Sequence, residues 1–473
     1  MPTPLVRLSE DERRVAELAL ATLTAEASGI NGALSDVELA RNFSQRYASS
    51  FRYCASLGRW FTWAKTHWSA DTTRAVEDAA RRSCALDLGF MLLADLTEQQ
   101  RRALQIRLGS AATIQAVVRL AAADRCHAVT VNCFDADPWL LNTPEGLIDL
   151  RTGEIQPHRP EQLNTKITAP SLTAECPLFL ATLERVLPDP EVRDYLQRLA
   201  GYFLTGVIRE HVIVLVQGGG GNGKSVVFNA IAHALGSYAV TLGAETLQEA
   251  HHDRHPTEIA VLNGARLALC PEIDGGRRWN IARLKRLSGG DPLTARLIAK
   301  DPFEFLPSHK LVVIANSSPA LSIVDEAVRR RFHKLEFNVT IPPNERDPDL
   351  PEKLKAEAGG IIRWMLAGCL DWQDGGLRPP KAVVEATDAF LDREDTIGEW
   401  LRECCRLMGQ STLTELYQSY RAWMERQGLV ALGRNTFGDA LESRGVVRQQ
   451  TRPKVWHFIG ISVVSSREIS RVG

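Results

Sequence analysis

HVIVLVQGGGGNGKSVVFNAIAHAL, residues 211–235, is the stretch on which the fold of this chain turns. The apolar run Val212–Val216 reads as a strand buried on both faces. A glycine-rich loop follows, then an apolar pattern of helical period. Gly218-Gly219-Gly220-Gly221-Asn222-Gly223-Lys224-Ser225 satisfies G-x4-G-K-[ST] with a strand before it and a helix after it, the setting the motif requires. Glycines let backbone N–H groups converge on phosphate oxygens without side-chain obstruction, and the helix N-terminus adds partial positive charge. Lys224 is suited to neutralise β- and γ-phosphates, and the Ser225 hydroxyl to ligate Mg²⁺. ATP and Mg²⁺ are the expected cofactors, with residues 218–225 as their cradle.

What lies downstream refines the chemistry. Strands and helices alternate to about Phe337, an α/β signature. Arg266-Leu-Ala-Leu-Cys-Pro-Glu272-Ile-Asp274 is an apolar strand ending in carboxylates: Glu272 is placed to orient and deprotonate an attacking water, and Asp274 to help hold the magnesium shell. A third strand, Lys310–Ala315, ends in Asn316, whose amide can reach a γ-phosphate from the strand tip. In Asp325-Glu326-Ala327-Val328-Arg329-Arg330-Arg331-Phe332 one arginine, Arg331 by choice, is a candidate arginine finger for a neighbouring subunit's phosphate.

Upstream, Ser35-Asp36-Val37-Glu38 has the form of a capping box. Phe51–Trp68 alternates as a hairpin would; packing on a small sheet is its ordinary reading, a base-stacking surface the other. Residues 137–170 are turn-rich and predict small strands. Phe134-Asp135-Ala136-Asp137 invites comparison with a two-carboxylate metal site, but the motifs that would accompany one are not seen upstream. Residues 176–206 read as helical, with Leu180, Leu183, Val186 and Leu187 on one face. Pro342–Leu350 reads as a linker. The last 75 or so residues predict helices at Thr396–Met408, Leu413–Arg426 and Asn435–Ser443 with two short strands, an order that suggests a winged helix.

The expected domains are a mainly helical region 1–130, a strand-rich segment 131–175, an ATPase core 176–345, a helical linker 346–395 and a winged-helix-like domain 396–473. The 473 residues carry 56 Lys+Arg against 57 Asp+Glu, a net charge of −1, which excludes a general nucleic-acid coat. Charge is nonetheless concentrated: residues 277–300 hold seven basic residues and one acidic. Nine scattered cysteines without a CxxC pair argue against a disulfide or zinc framework. No apolar signal core or membrane-length run is present, so a soluble, cytoplasmic protein with no membrane partner is expected.

Together these residues resemble the superfamily 3 helicases, the AAA+-related branch found in phage and plasmid primase-helicases and in the poxvirus primase-helicase. DPWLLNTPEGLIDLRTGE (137–154) is similar to the small domain before the ATPase, LAGYFLTG (199–206) to the family's entry into the phosphate loop, and KRLSGGDPLTAR (285–296) to its distinguishing extra motif. The resemblance implies an α/β, P-loop AAA+-like parallel-sheet core. It also implies a homo-oligomeric ring, read as a hexamer, with ATP between subunits, single-stranded or forked DNA as partner, and 3′ to 5′ movement. Asn316 takes the sensor position and Arg331 the finger. The segment after Gly289-Gly290-Asp291 would form a hairpin facing the pore, making Lys300 and Arg296 the candidate DNA contacts. Primase activity does not carry over, so a separate primase or other replication proteins are expected partners. An ATP-switched initiator with little unwinding, or an antiviral-defence ATPase, are the other classes. Arg434, Arg448, Arg452 and Lys454 are a candidate duplex or protein contact at the C-terminal end.

Overall fold

The computed structural model describes residues 35–169, 175–249, 257–271, 278–298, 300–316, 320–321, 323–451 and 455–464. They fall into two units, the described parts of Met1–Phe134 with Arg159–Thr165 and those of Asp135–His158 with Lys166–Gly473.

In the first unit α1 (Asp36–Tyr47) opens on the capping box: Ser35 Oγ accepts from Glu38 N at 3.2 Å, and the Glu38 carboxylate accepts from Ser35 N at 2.6 Å. The aromatic stretch forms β1 (Phe51–Cys54), β2 (Arg59–Trp63) and β3 (Trp68–Ala70), two successive hairpins where one was expected. Helices α2 (Ala75–Met91), α3 (Glu98–Leu108) and α4 (Ala111–Ala121) follow, and β4 (Ala128–Val129) completes a sheet of order β3-β2-β1-β4. Phe51, Trp60, Phe61 and Trp68 are buried, the first two in one cluster with Leu39, Phe43 and Val76. The aromatic patch is therefore packing, which sets the base-stacking alternative aside.

The second unit begins with a small antiparallel sheet of β5 (Leu140–Thr143), β6 (Gly146–Asp149) and β7 (Ile155–Gln156). Then come α5 (Pro177–Val186) and α6 (Pro190–Leu204). On α5 the buried stripe is Phe179, Leu183 and Val186; Leu180, expected on that face, points outward. The central sheet has five parallel strands: β8 (Ile213–Gln217), β9 (Ala239–Thr241), β10 (Leu267–Cys270), β13 (Lys310–Ala315) and β14 (Phe332–Glu336), in the order β14-β8-β13-β10-β9. Between β8 and β9 runs α7 (Lys224–Leu235). Between β10 and β13 lie α8 (Ile281–Ser288) and an antiparallel hairpin of β11 (Leu293–Arg296) and β12 (Pro302–Phe305), and α9 (Glu326–Arg329) precedes β14. Val214, Leu215 and Val216 are fully buried, as strands covered on both faces require.

Two cations tie α6 to the sheet. Arg266, before β10, donates to Leu204 O with its guanidinium 4.4 Å over the Tyr238 ring, and Lys310 donates to Thr205 O with its ammonium 4.5 Å over Tyr202. Both are buried and both donate to carbonyls at the C-terminal end of α6; burial, with Arg266 nearby, lowers the Lys310 pKa well below its ordinary value.

Residues 346–395, expected as a helical linker, are helical and pack onto this core. Helix α10 (Leu350–Ala356) packs on α7, α11 (Ala358–Gly375) on α6 and α7, and α12 (Lys381–Glu394) on β14, and Ile361, Ile362, Met365 and Trp372 are in the same buried cluster as Val214 and Leu199. The cause is glycine: Gly201 of α6 faces the Gly368–Cys369 backbone of α11 so closely that a Cβ would overlap it. Gly201→Val is expected to cost about 3 kcal/mol, lowering the first thermal transition by roughly 6–12 °C in a melting scan. Beyond α12 stand α13 (Thr396–Cys404), β15 (Gln410–Thr412), α14 (Leu413–Arg426), α15 (Arg434–Glu442), β16 (Val447–Thr451) and β17 (Val455–Ile459), with sheet order β15-β17-β16. The helix expected to reach Met408 stops at Cys404, because Cys405–Arg406 pair with Ser462–Val463.

Candidate active site

The loop Gly218–Gly223 joins the C-terminal end of β8 to the N-terminus of α7. Three features hold it. Gly221 takes a positive φ of 74°, open to glycine without strain, and its carbonyl accepts from Ile341 N at 2.9 Å. The Asn222 side chain is buried and donates to Phe337 O at 2.9 Å. Lys224, 5% exposed, donates through Nζ to Gly218 O at 3.0 Å, Gly219 O at 3.2 Å and Asn316 Oδ1 at 2.7 Å. Asn316 stands at the tip of β13, the strand next to β8, so two residues picked out separately in the sequence meet at one point. Ser225 is exposed one residue beyond Lys224, and a Cβ on Gly219 or Gly220 would meet no described atom within 4 Å. The loop is thus open on the side where phosphates would enter, and a hydroxyl able to ligate a cation lies at its end.

Glu272 and Asp274 lie outside the described residues; β10 ends at Cys270, two residues before Glu272. Arg331 is not brought to this end of the sheet. Its carbonyl accepts from Ile213 N at 2.7 Å, at the start of β8, and the five strand steps of roughly 3.3 Å from Ile213 to Gly218 put its backbone about 16 Å from the loop. The Arg331 side chain is half-buried, donates to Ala327 O at 2.8 Å, and burial lowers its pKa, with Arg330 adding to the effect. Arg330 beside it is exposed, and Arg329 pairs with Asp392 at 2.8 Å. Arg296 and Lys300 are exposed at the tip of the β11–β12 hairpin, where Arg296 Nε donates to Lys300 O at 2.9 Å. The hairpin's other face is buried through Leu293, Ala295, Phe303 and Phe305. Arg434 donates to Thr414 Oγ1 at 2.7 Å, and Arg448 pairs with Glu442 at 3.0 Å and covers the Trp456 ring; Arg452 and Lys454 are outside the described residues.

Sequence reading missed part of the site. A polar cavity of about 260 Å³ opens beside the loop, lined by Gln217, Gly218, Gly219, Asn316, Lys334, Glu336, Asn338 and Arg393. Lys334 pairs with Glu336 at 2.5 Å, and this bond is the main reason the Glu336 carboxyl titrates below its usual range. Lys334, Glu336 and Asn338 recur every second residue, the period of one strand face, and that was the available signal. Pro342–Leu350, expected as a linker, begins directly over the loop through Ile341. Asp135 and Asp137 spend their carboxylates on Lys166 N and Trp139 N, and no group of three or more His, Cys, Asp or Glu able to hold a metal occurs among the described residues.

Residues 40–188 match the family described as D5 N terminal like, and residues 216–331 match a family of unknown function (DUF5906). The chain carries a D5-like segment. That segment ends just beyond α5, while the second match brackets Lys224, Asn316 and Arg331. Among curated relatives, a provisionally named helicase of Acanthamoeba polyphaga mimivirus is 24% identical over 61% of this chain and 33% of its own length. A provisionally named helicase of Frog virus 3 (isolate Goorha) is 28% identical over 52% of this chain and 27% of its own. A provisionally named primase of African swine fever virus is 23% identical over 50% of this chain and 26% of its own. The chain therefore spans about a third or less of the length of these relatives. The apo structure of the NrS-1 C-terminal region is similar at 10% identity and a TM-score of 0.45, covering 91% of this chain and all of that one. No helix among the described residues is long and apolar enough to cross a membrane.

Proposed function

We propose that this chain is the motor portion of a superfamily 3-type replicative DNA helicase of a virus, phage or plasmid, an ATP-hydrolysing ring that moves on single-stranded DNA. The observation that supports it most is the meeting of Lys224 with Asn316 at the C-terminal ends of adjacent parallel strands, at the mouth of a glycine loop. In that arrangement the loop N–H groups and the start of α7 receive phosphate oxygens. Lys224 exchanges Gly218 O, Gly219 O and Asn316 Oδ1 for phosphate, which frees the Asn316 amide to orient an attacking water that Glu272 would deprotonate. Bound Mg²⁺ would supply charge neutralisation across the phosphates, held by the Ser225 hydroxyl with help from Asp274. Arg331 acts on the site of the next subunit, consistent with its place at the far end of β8. The β11–β12 hairpin presents Arg296 and Lys300 to the DNA backbone, and residues 396–473 form a winged-helix-like appendage.

Strand displacement on 3′- and 5′-tailed forks with ATP, beside a Lys224→Ala control, tests the reading; absence of ATP-dependent displacement on both forks with intact ATP turnover would reduce it to a switch. Arg331→Ala is expected to bind nucleotide within about twofold of the parent and to lose roughly 10³-fold in turnover. Mixing it with Lys224→Ala subunits should recover activity, since each variant spares a different half of a shared site. Parent-like turnover in Arg331→Ala, with the loss found in Arg330→Ala, would move the finger to the exposed neighbour.

A further inference from the structure

We propose that Arg346 is a nucleotide-phosphate ligand supplied by the same subunit, an inference that rests on the nucleotide-binding reading of the Gly218–Ser225 loop. After β14 the chain follows the loop bond by bond. Phe337 N donates to Gln217 O at 2.8 Å, Asn222 Nδ2 donates to Phe337 O, and Ile341 N donates to Gly221 O. Pro342 and Pro343 then turn the chain back, with φ fixed by their rings, and a short 3₁₀ turn, Pro343–Glu345, delivers Arg346. Glu345 is held from the other side by an ion pair with Arg185 of α5.

The Arg346 guanidinium lies directly on Gly221, where any Cβ would collide with it. Its Nε donates to Ile341 O at 2.9 Å, so the group hangs from the same residue that holds the loop. Its two Nη atoms make no hydrogen bond among the described residues, and the side chain is exposed. A planar fork with two N–H edges open, fixed on a loop built to gather phosphate oxygens, suits bidentate contact with a phosphate. Arg331 cannot fill this role in its own subunit, because it stands at the opposite end of β8. The Gly221 contact also gives the third residue of the loop's variable run a reason to be glycine that the phosphate alone does not supply.

The test is titration of a fluorescent N-methylanthraniloyl ADP into the purified chain, with inorganic pyrophosphate as competitor, for the parent, Arg346→Ala, Arg346→Lys and Lys224→Ala. Arg346→Ala is expected to weaken both ligands about tenfold with the melting temperature of the ligand-free protein unchanged, and Arg346→Lys to recover part of that loss. Affinity within twofold of the parent in Arg346→Ala, while Lys224→Ala loses it, would overturn the proposal and leave the site intact. An equal loss accompanied by a lower ligand-free melting temperature in both Arg346 variants would reduce Arg346 to a strap on the loop and overturn it as a ligand. Loss of the nucleotide with pyrophosphate unaffected would overturn the phosphate contact. A parent that binds neither ligand would bring down the nucleotide-binding reading itself.

Discussion

Replacing Lys224 by alanine is expected to lower ATP turnover by about three orders of magnitude, measured as phosphate release per chain with and without single-stranded DNA. The ammonium is the buried cation at the loop, and the charge it would meet grows as the phosphoryl group transfers, so its removal takes most from the transition state. The fold should survive, because of the groups it leaves behind the Gly219 carbonyl and Asn316 amide are on exposed residues and the Gly218 carbonyl on a half-buried one, where water can replace it. Turnover within tenfold of the parent would separate the loop from the chemistry.

The second large effect is on stability in acid. His309 is 1% exposed with neither ring nitrogen hydrogen-bonded among the described residues, and burial together with the neighbouring Lys310 pushes its pKa down to about 4. His333 shares a 2.7 Å hydrogen bond with Tyr195 Oη, and burial pushes its pKa down to about 4 as well. Each is neutral in the fold and ordinary, near 6.5, when unfolded, so between those values the unfolded chain binds more protons and stability falls as pH falls. The loss begins near pH 6.5 and levels off below about 4. Between pH 6.5 and 5 each imidazole is expected to cost about 1.6 kcal/mol. Urea melts at the two pH values should show the combined drop in the parent and about half of it in His309→Leu or His333→Phe. An undiminished drop in both variants would place the acid sensitivity elsewhere.

The parts of this fold that were legible in the sequence are those in which one local pattern carries the whole instruction. Val212–Val216 needed only its apolar run, the loop only its glycines and Lys224, and α1 only Ser35 and Glu38. Asn316 was legible because a strand tip is marked by where the apolar run stops. What escaped depended on distant partners. Pro342–Leu350 has a linker's composition, yet Ile341 and Arg346 are held on the Gly221 carbonyl and Cα, a contact no neighbouring residue announces. A helix around Ile361–Trp372 was legible from its apolar pattern, but its packing partner was not: Gly368 is small because the Gln197 backbone of α6 lies opposite. Lys334 and Glu336 alternate as strand residues do; what they face is decided by the approach of α12 with Arg393.

The hydrogen bond from Ile213 to Arg331 has a mechanical meaning. Five residues of β8, paired on both sides and buried throughout their middle, separate that bond from Gly218. A strand so clamped moves as a stiff rod. The mouth of the glycine loop and the backbone at Arg331 are therefore fixed to opposite ends of one strand, so the spacing between them is set by the length of β8.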